Sequence, residues 1–224
     1  GIVYMTNGTD TNQKIDFTVT PAEPPSIAAM AGPATKCRMF TYIKNKIWAY
    51  GNDTFPERAW PCGVTSAGVP TPETWDATEY MSFPKAGSYE RIVSGGAWND
   101  QLVILTDNSI CMLLGNDLLE YEVDILETNI STIAPYGTAN LGPDLVFIAR
   151  DGVRLFTGQL SRLISEDIQP QIDDINPTYY GNIAGMADDK RYYFSYTSIA
   201  TEGTVNNRML IFDTTLERDV ARVI

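Results

Sequence analysis

The 224-residue sequence contains no histidine. This removes the side chain that titrates near neutrality, and with it the commonest general base and the commonest metal ligand. Serine nucleophiles therefore lack an imidazole partner, and no G-x-x-x-x-G-K-[ST] phosphate loop is present. Cysteine is scarce. Cys37, Cys62 and Cys111 are widely spaced and form no Cys-x-x-Cys pair, so neither a disulfide framework nor a zinc site is signalled, and buried free thiols are the plain reading. No apolar run approaches the roughly 20 residues that span a bilayer, so membrane insertion is not expected. Basic residues are also few. Sixteen Lys and Arg against 28 Asp and Glu give a net charge of −12, which repels phosphate backbones and disfavours specific nucleic-acid binding. The same acidity suits a passage through which DNA slides without being held.

Helical periodicity is almost absent. The exceptions are Pro25 to Ala31, short and Pro-bounded, and Ser165 to Ile175, where Ser165 can cap a short turn carrying Ile168, Ile172 and Ile175 on one face. Elsewhere the apolar residues come in short runs rich in Val, Ile, Tyr, Phe and Thr, punctuated by Asn, Asp and Gly, the pattern of strands joined by tight turns. At the ends, Ile2-Val3-Tyr4-Met5 and Val220-Ala221-Arg222-Val223-Ile224 both read as strands cut short, with no signal-peptide core after Gly1.

One pattern repeats. Leu102 to Gly115 aligns without gaps onto Leu145 to Gly158, 43 residues later, each copy being a hydrophobic strand, a polar turn, a second strand and a closing Gly. Asp151-Gly152 is a favoured two-residue hairpin pair, because both central positions of a type I′ turn need positive φ, and Asn108-Ser109 is a weaker version. Tyr4 to Gly8 and Ile47 to Gly51 end on glycines with the same offset. The spacing matches a four-stranded propeller blade, about 40 to 50 residues. A single blade exposes two apolar faces and is stable only when packed between others. The expected fold is therefore all-β, a β-propeller-like array of antiparallel blades of about 43 residues. Residues 1–224 form one domain of about five blades, a small ring or a fragment of a larger one. A two-sheet sandwich is the structural alternative. Between Gly51 and Gly115 the period overruns by about 21 residues, which places an insertion near 55–72, in the Pro-, Gly- and Thr-rich stretch Phe55 to Pro72. Arg191 to Tyr196 and Arg208 to Asp213 read as a further strand pair.

The order of segments carries a resemblance. Asn45 to Asn52, Pro56-Glu57-Arg58-Ala59-Trp60-Pro61, Thr74-Trp75-Asp76, the Leu102–Gly115 hairpin, and Asp151 to Gly158 followed by Leu163 to Pro170 together resemble tailed-bacteriophage virion proteins with a β-propeller fold. These are nozzle, tubular or hub-like components of the neck or tail. The resemblance covers roughly Tyr42 to Asp213. It implies a non-enzymatic structural component of the virion, soluble in the host cytoplasm before assembly and free of cofactors. Its expected partners are other neck and tail proteins, in a homo-oligomeric ring whose contact with passing DNA is passive.

Catalysis would have to rest on carboxylates, since propellers host glycosidases whose two acids stand about 5 to 9 Å apart. Asp107, Asp124, Asp151 and Glu166 are the candidates, and Asp107 and Asp151 also fit as turn residues. Asp173-Asp174 and Asp188-Asp189 offer oxygen ligands for calcium without the alternating spacing of a calcium loop. Asn7, Asn52 and Asn129 fit the glycosylation pattern. Among the aromatics, Trp48, Trp75 and Trp98 lie near predicted strand ends, and most belong to an inter-blade core. Trp60, Phe55, Arg58 and Trp75 are the candidate interface residues, Trp60 foremost. The competing function is a carbohydrate-recognising propeller, either a host-receptor binding module or a glycosidase, with Trp48, Trp60 or Trp75 as stacking platforms.

Overall fold

The computed structural model describes residues 2–5, 11–16, 26–30, 36–116, 119–200, 203–213 and 220–223. Short runs rich in β-branched and aromatic residues, joined by turns, form antiparallel sheets in chain order. The first sheet contains β1 (Ile2–Met5), β2 (Gln13–Asp16) and β3 (Ser26–Ala29). The second contains β4 (Met39–Ile43), β5 (Lys46–Tyr50), β6 (Arg58–Val64) and β7 (Pro70–Trp75), with β8 (Met81–Ser82) pairing the start of β6. The third contains β9 (Ile92–Trp98), β10 (Gln101–Thr106), β11 (Ser109–Leu114) and β12 (Glu122–Thr128). The fourth contains β13 (Ala139–Leu141), β14 (Asp144–Ala149), β15 (Gly152–Phe156) and β16 (Ser161–Leu163). The fifth contains β17 (Ala184–Ala187), β18 (Arg191–Tyr196), β19 (Arg208–Asp213) and β20 (Val220–Val223). The chain is thus all-β, an array of antiparallel blade-like sheets. It divides into two compact units, Gly1–Ile92 with Leu114–Val123, and Val93–Leu113 with Asp124–Ile224.

The repeated hairpins are β10–β11 and β14–β15, paired Leu102↔Leu113 through Leu105↔Ile110 and Leu145↔Phe156 through Ala149↔Gly152. Their turns differ from the expected type. The loop residues are Asp107-Asn108 and Arg150-Asp151, and none of the four has positive φ. Thr106 Oγ1 closes the first turn by accepting from the backbone N–H of Ser109 at 2.7 Å. Among the described residues, the two-residue turns with positive φ at both positions are Lys44-Asn45, between β4 and β5, and Asn99-Asp100, between β9 and β10.

Strands β6 and β7 occupy most of residues 55–72, so that stretch belongs to the second sheet and is not an insertion. The misplacement has a simple cause: Gly51 follows the second strand of its sheet, whereas Gly115 and Gly158 follow the third of theirs. The added chain lies instead in 76–91, the long connection from β7 to β9 that contains β8. Gly8 lies outside the described residues. Residues 26–29, one of the two helical exceptions, form β3.

In the second unit the core follows the register. Val103, Leu105, Ile110 and Met112 on one face of the third sheet pack with Leu145, Phe147 and Phe156 of the fourth. The other face of the fourth sheet, Val146, Ile148, Val153 and Leu155, packs with Tyr192, Phe194, Leu210 and Phe212 of the fifth. Ile168, Ile172 and Ile175 join this second cluster. They come from a 3-10 turn, Glu166–Ile168, running into α1, Gln169–Asp173. Ser165 does not cap that turn; its Oγ accepts from the N–H of Val153 at 3.0 Å.

Candidate interaction surface around strand β6

The turn into β6 is built by a buried amide. Asn52 Oδ1 accepts from the N–H groups of Thr54 and Phe55 at 2.8 and 3.3 Å, which throws Phe55 outward, 39% exposed. The N–H of Arg58 bonds to the carbonyl of Phe55 at 3.2 Å, and β8 pins the first residues of β6 through Arg58↔Ser82 and Ala59↔Met81. The Arg58 guanidinium is thereby held between two rings, 4.4 Å from the centroid of Phe55 and 4.0 Å from that of Tyr80, with Nε donating to Glu57 Oε1 at 3.1 Å. A cation between aromatic faces is attracted by both ring quadrupoles. Trp60 lies beneath, edge-on to Phe55 at 6.1 Å and tilted to Tyr80 at 6.4 Å. Beside it Trp75 stacks on Phe40, with ring centroids 6.4 Å apart.

The four candidate interface residues therefore meet around one small core of Cys37, Ala49 and Trp60. Their roles differ. Trp60, expected as the foremost surface aromatic, is only 1% exposed and supports the cluster from within, because β6 turns it inward opposite Ala49. Phe55 and Arg58 present the outer part. Next to them Asp53 Oδ1 accepts from Arg38 at 2.6 Å and Arg91 at 2.8 Å. Neither Tyr80 nor this trio was singled out from the sequence. Only their proximity after folding marks them.

The candidate carboxylates are dispersed over different elements. Asp107 and Asp151 occupy hairpin turns, Asp124 is exposed on β12, and Glu166 begins the 3-10 turn. Asp151 grips Arg154 through Nε at 3.0 Å and Nη2 at 2.6 Å, while Glu127 Oε2 accepts from the N–H and hydroxyl of Ser161, both at 2.8 Å. The hydrogen bond and charge of Asp151 hold Arg154 in its cationic form. Asp188 accepts from the backbone N–H groups of Lys190 and Arg191 at 2.8 and 2.6 Å, which lowers its pKa. Asp174 accepts from the Ser198 hydroxyl at 2.8 Å. Among the described residues no group of three or more His, Cys, Asp or Glu is placed to hold a metal ion. Asn7 lies outside the described residues, and the Asn52 side chain is committed to its turn.

Of the aromatics proposed as sugar platforms, Trp48 is fully buried against the Tyr121 edge at 5.4 Å, and Trp60 is buried as described. A cleft of about 490 Å³ does lie elsewhere, lined by Ala97, Trp98, Asn99, Asn140, Pro143 and Asp144. Asn140 Nδ2 fixes its floor by donating to the carbonyl of Ala97 at 2.7 Å.

No family model matches this chain, and no curated protein matches it. Solved structures do. The N-terminal domain of Nup159 superposes with a TM-score of 0.50 at 9% identity, covering 98% of this chain and 57% of that one. A luciferin-regenerating enzyme superposes with a TM-score of 0.52 at 11% identity, covering 100% and 72%. The fold is of the β-propeller type. The chain spans less than two thirds of the Nup159 domain's length.

Proposed function

We propose that the chain is a non-enzymatic structural component of a tailed-phage virion, in the neck or tail, that assembles with neighbouring subunits around the DNA passage. The observation that carries this reading is the Phe55–Arg58–Tyr80 sandwich. Aromatic and Arg side chains, rigid and partly exposed over a packed base, are the groups that dominate binding energy at protein interfaces. The segment order resembling phage propellers points to the partner class, and the charge of −12 suits a wall that DNA passes without adhering. The test is co-assembly with the adjoining neck and tail proteins. Phe55→Ala and Arg58→Ala should each weaken that association at least tenfold while leaving the circular dichroism spectrum unchanged. Unaltered association in both variants would remove the surface from the proposal.

Carbohydrate recognition is the second reading, and one observation favours it. The cleft beside Trp98 combines an indole with the side chains of Asn99, Asn140 and Asp144, a composition that can stack on a sugar ring and hydrogen-bond its hydroxyls. Glycan-array binding abolished by Trp98→Ala would support this reading. An array without any binding would end it.

A further inference from the structure

A guanidinium carries five N–H donors in one plane. At Arg58 the fold uses one of them. Nε donates to Glu57 Oε1 at 3.1 Å, and among the described residues neither Nη1 nor Nη2 meets an acceptor. The side chain is nevertheless fixed. It is 26% exposed, with the Phe55 and Tyr80 ring centroids 4.4 and 4.0 Å away, and its backbone is held by the Asn52 turn on one side and by β8 on the other. A long, flexible cation is thereby turned into a rigid fork whose outer donors are unmatched.

The surroundings add positive charge within an acidic chain. Residues 36–92 hold seven Lys and Arg against six Asp and Glu, whereas residues 93–213 hold six against seventeen. Arg38 and Arg91 converge on a single oxygen, Asp53 Oδ1, at 2.6 and 2.8 Å, so that group of three keeps one positive charge. Backbone bonds bring it beside Arg58. The N–H of Ile92 donates to the carbonyl of Pro56 and that of Phe83 to the carbonyl of Glu57, both at 2.8 Å, which sets Arg91 against the turn that carries Asp53 and Arg58. Together Arg38, Arg58, Arg91, Asp53 and Glu57 carry one net positive charge.

The geometry points to a carboxylate receptor: an acidic segment of a partner protein sets an Asp or Glu side chain against Nη1 and Nη2 of Arg58. Planar guanidinium and planar carboxylate pair through two parallel hydrogen bonds, which the point charge of a lysine cannot reproduce. Most of the entropy of fixing Arg58 is already lost on folding, through the rings and Glu57, so less is lost when the partner arrives. A phosphodiester chain offers similar oxygens, but it spreads its charge along a line, which a net charge of −12 repels. A short acidic segment meets only the local excess. The inference rests on reading the β6 surface as an interface, and it names the chemistry of the partner.

The test uses the purified chain and two peptides of equal length, one alternating Glu and Ala and the other Gln and Ala, with binding read by titration calorimetry at low salt. The Glu peptide should bind at least tenfold more tightly. Arg58→Lys keeps the charge and loses the fork, and should weaken the Glu peptide at least tenfold with an unchanged circular dichroism spectrum. Phe55→Leu, at a side chain 39% exposed, releases one side of the guanidinium and should weaken binding at least threefold, a readout that survives if Arg58→Lys disturbs the strand. Equal affinity for the two peptides, full affinity in both variants, or displacement of the Glu peptide by an equimolar short DNA duplex would each overturn the proposal. If the Glu peptide fails to bind while Arg58→Ala still breaks co-assembly, the acidic partner falls and the interface stands. If it binds at Arg58 while Arg58→Ala co-assembles normally, the carboxylate site stands and its place in the virion falls.

Discussion

Single residues show where conformation and chemistry are fixed. Gly158 has φ of +115°, and a Cβ there would run into the indole of Trp98. Gly158→Ala should therefore cost about 1–3 kcal/mol, read as a lowered urea midpoint. Burial pushes the Cys37 thiol up to about 12, partly opposed by its hydrogen bond with Asn52. Burial raises Cys62 as well. Below the ordinary thiol value both folded and unfolded states keep the proton. As pH climbs above about 9 the unfolded thiols ionise first and stability falls. The urea midpoint should decline from pH 8 to pH 10.5, and less steeply in Cys37→Ala. At neutral pH a thiol reagent should label none of the three cysteines until the chain is denatured. Asp76 and Asp188 act in the opposite sense. Backbone donors hold their pKa values low, so their contribution is present above the ordinary carboxylate range and fades as pH falls through the lowered values.

At the scale of elements, the difference between covered and open faces is measurable. Phe147 is fully buried between the third and fourth sheets, so Phe147→Ala should cost about 3–5 kcal/mol. Met186→Ala, on β17 where the side chain is 65% exposed, should change stability by less than about 0.5 kcal/mol. Equal costs at the two sites would contradict the assigned faces. The β10–β11 and β14–β15 hairpins were legible in the sequence because a strand covered on both sides is an uninterrupted apolar run, and two such runs 43 residues apart announce themselves. Turn type was less legible: Asp151-Gly152 looks like a type I′ pair, yet Thr106 and Ser165 supply side-chain bonds that let other conformations close these hairpins. The phase of the second sheet was missed for a related reason. A closing Gly marks a positive φ and not a strand number, so Gly51 and Gly115 were compared across different strands.

At the scale of the whole molecule, burial separates the expected interface residues into buried and exposed ones. A Trp between prolines in sequence reads as a loop residue, but Trp60 sits on a central strand, and Phe55 and Arg58 form the exposed part of the cluster. Trp98 was legible only as a strand-end aromatic. Its cleft depends on Asn140 and Asp144, some 40 residues away, which no local pattern could supply. The most direct test of the structural role is quantitative mass spectrometry of purified virions, combined with imaging of the same particles. Several copies per particle are expected in fixed ratio to the neck and tail proteins, with matching density around the DNA axis. A chain abundant in infected cells but absent from purified particles would contradict it.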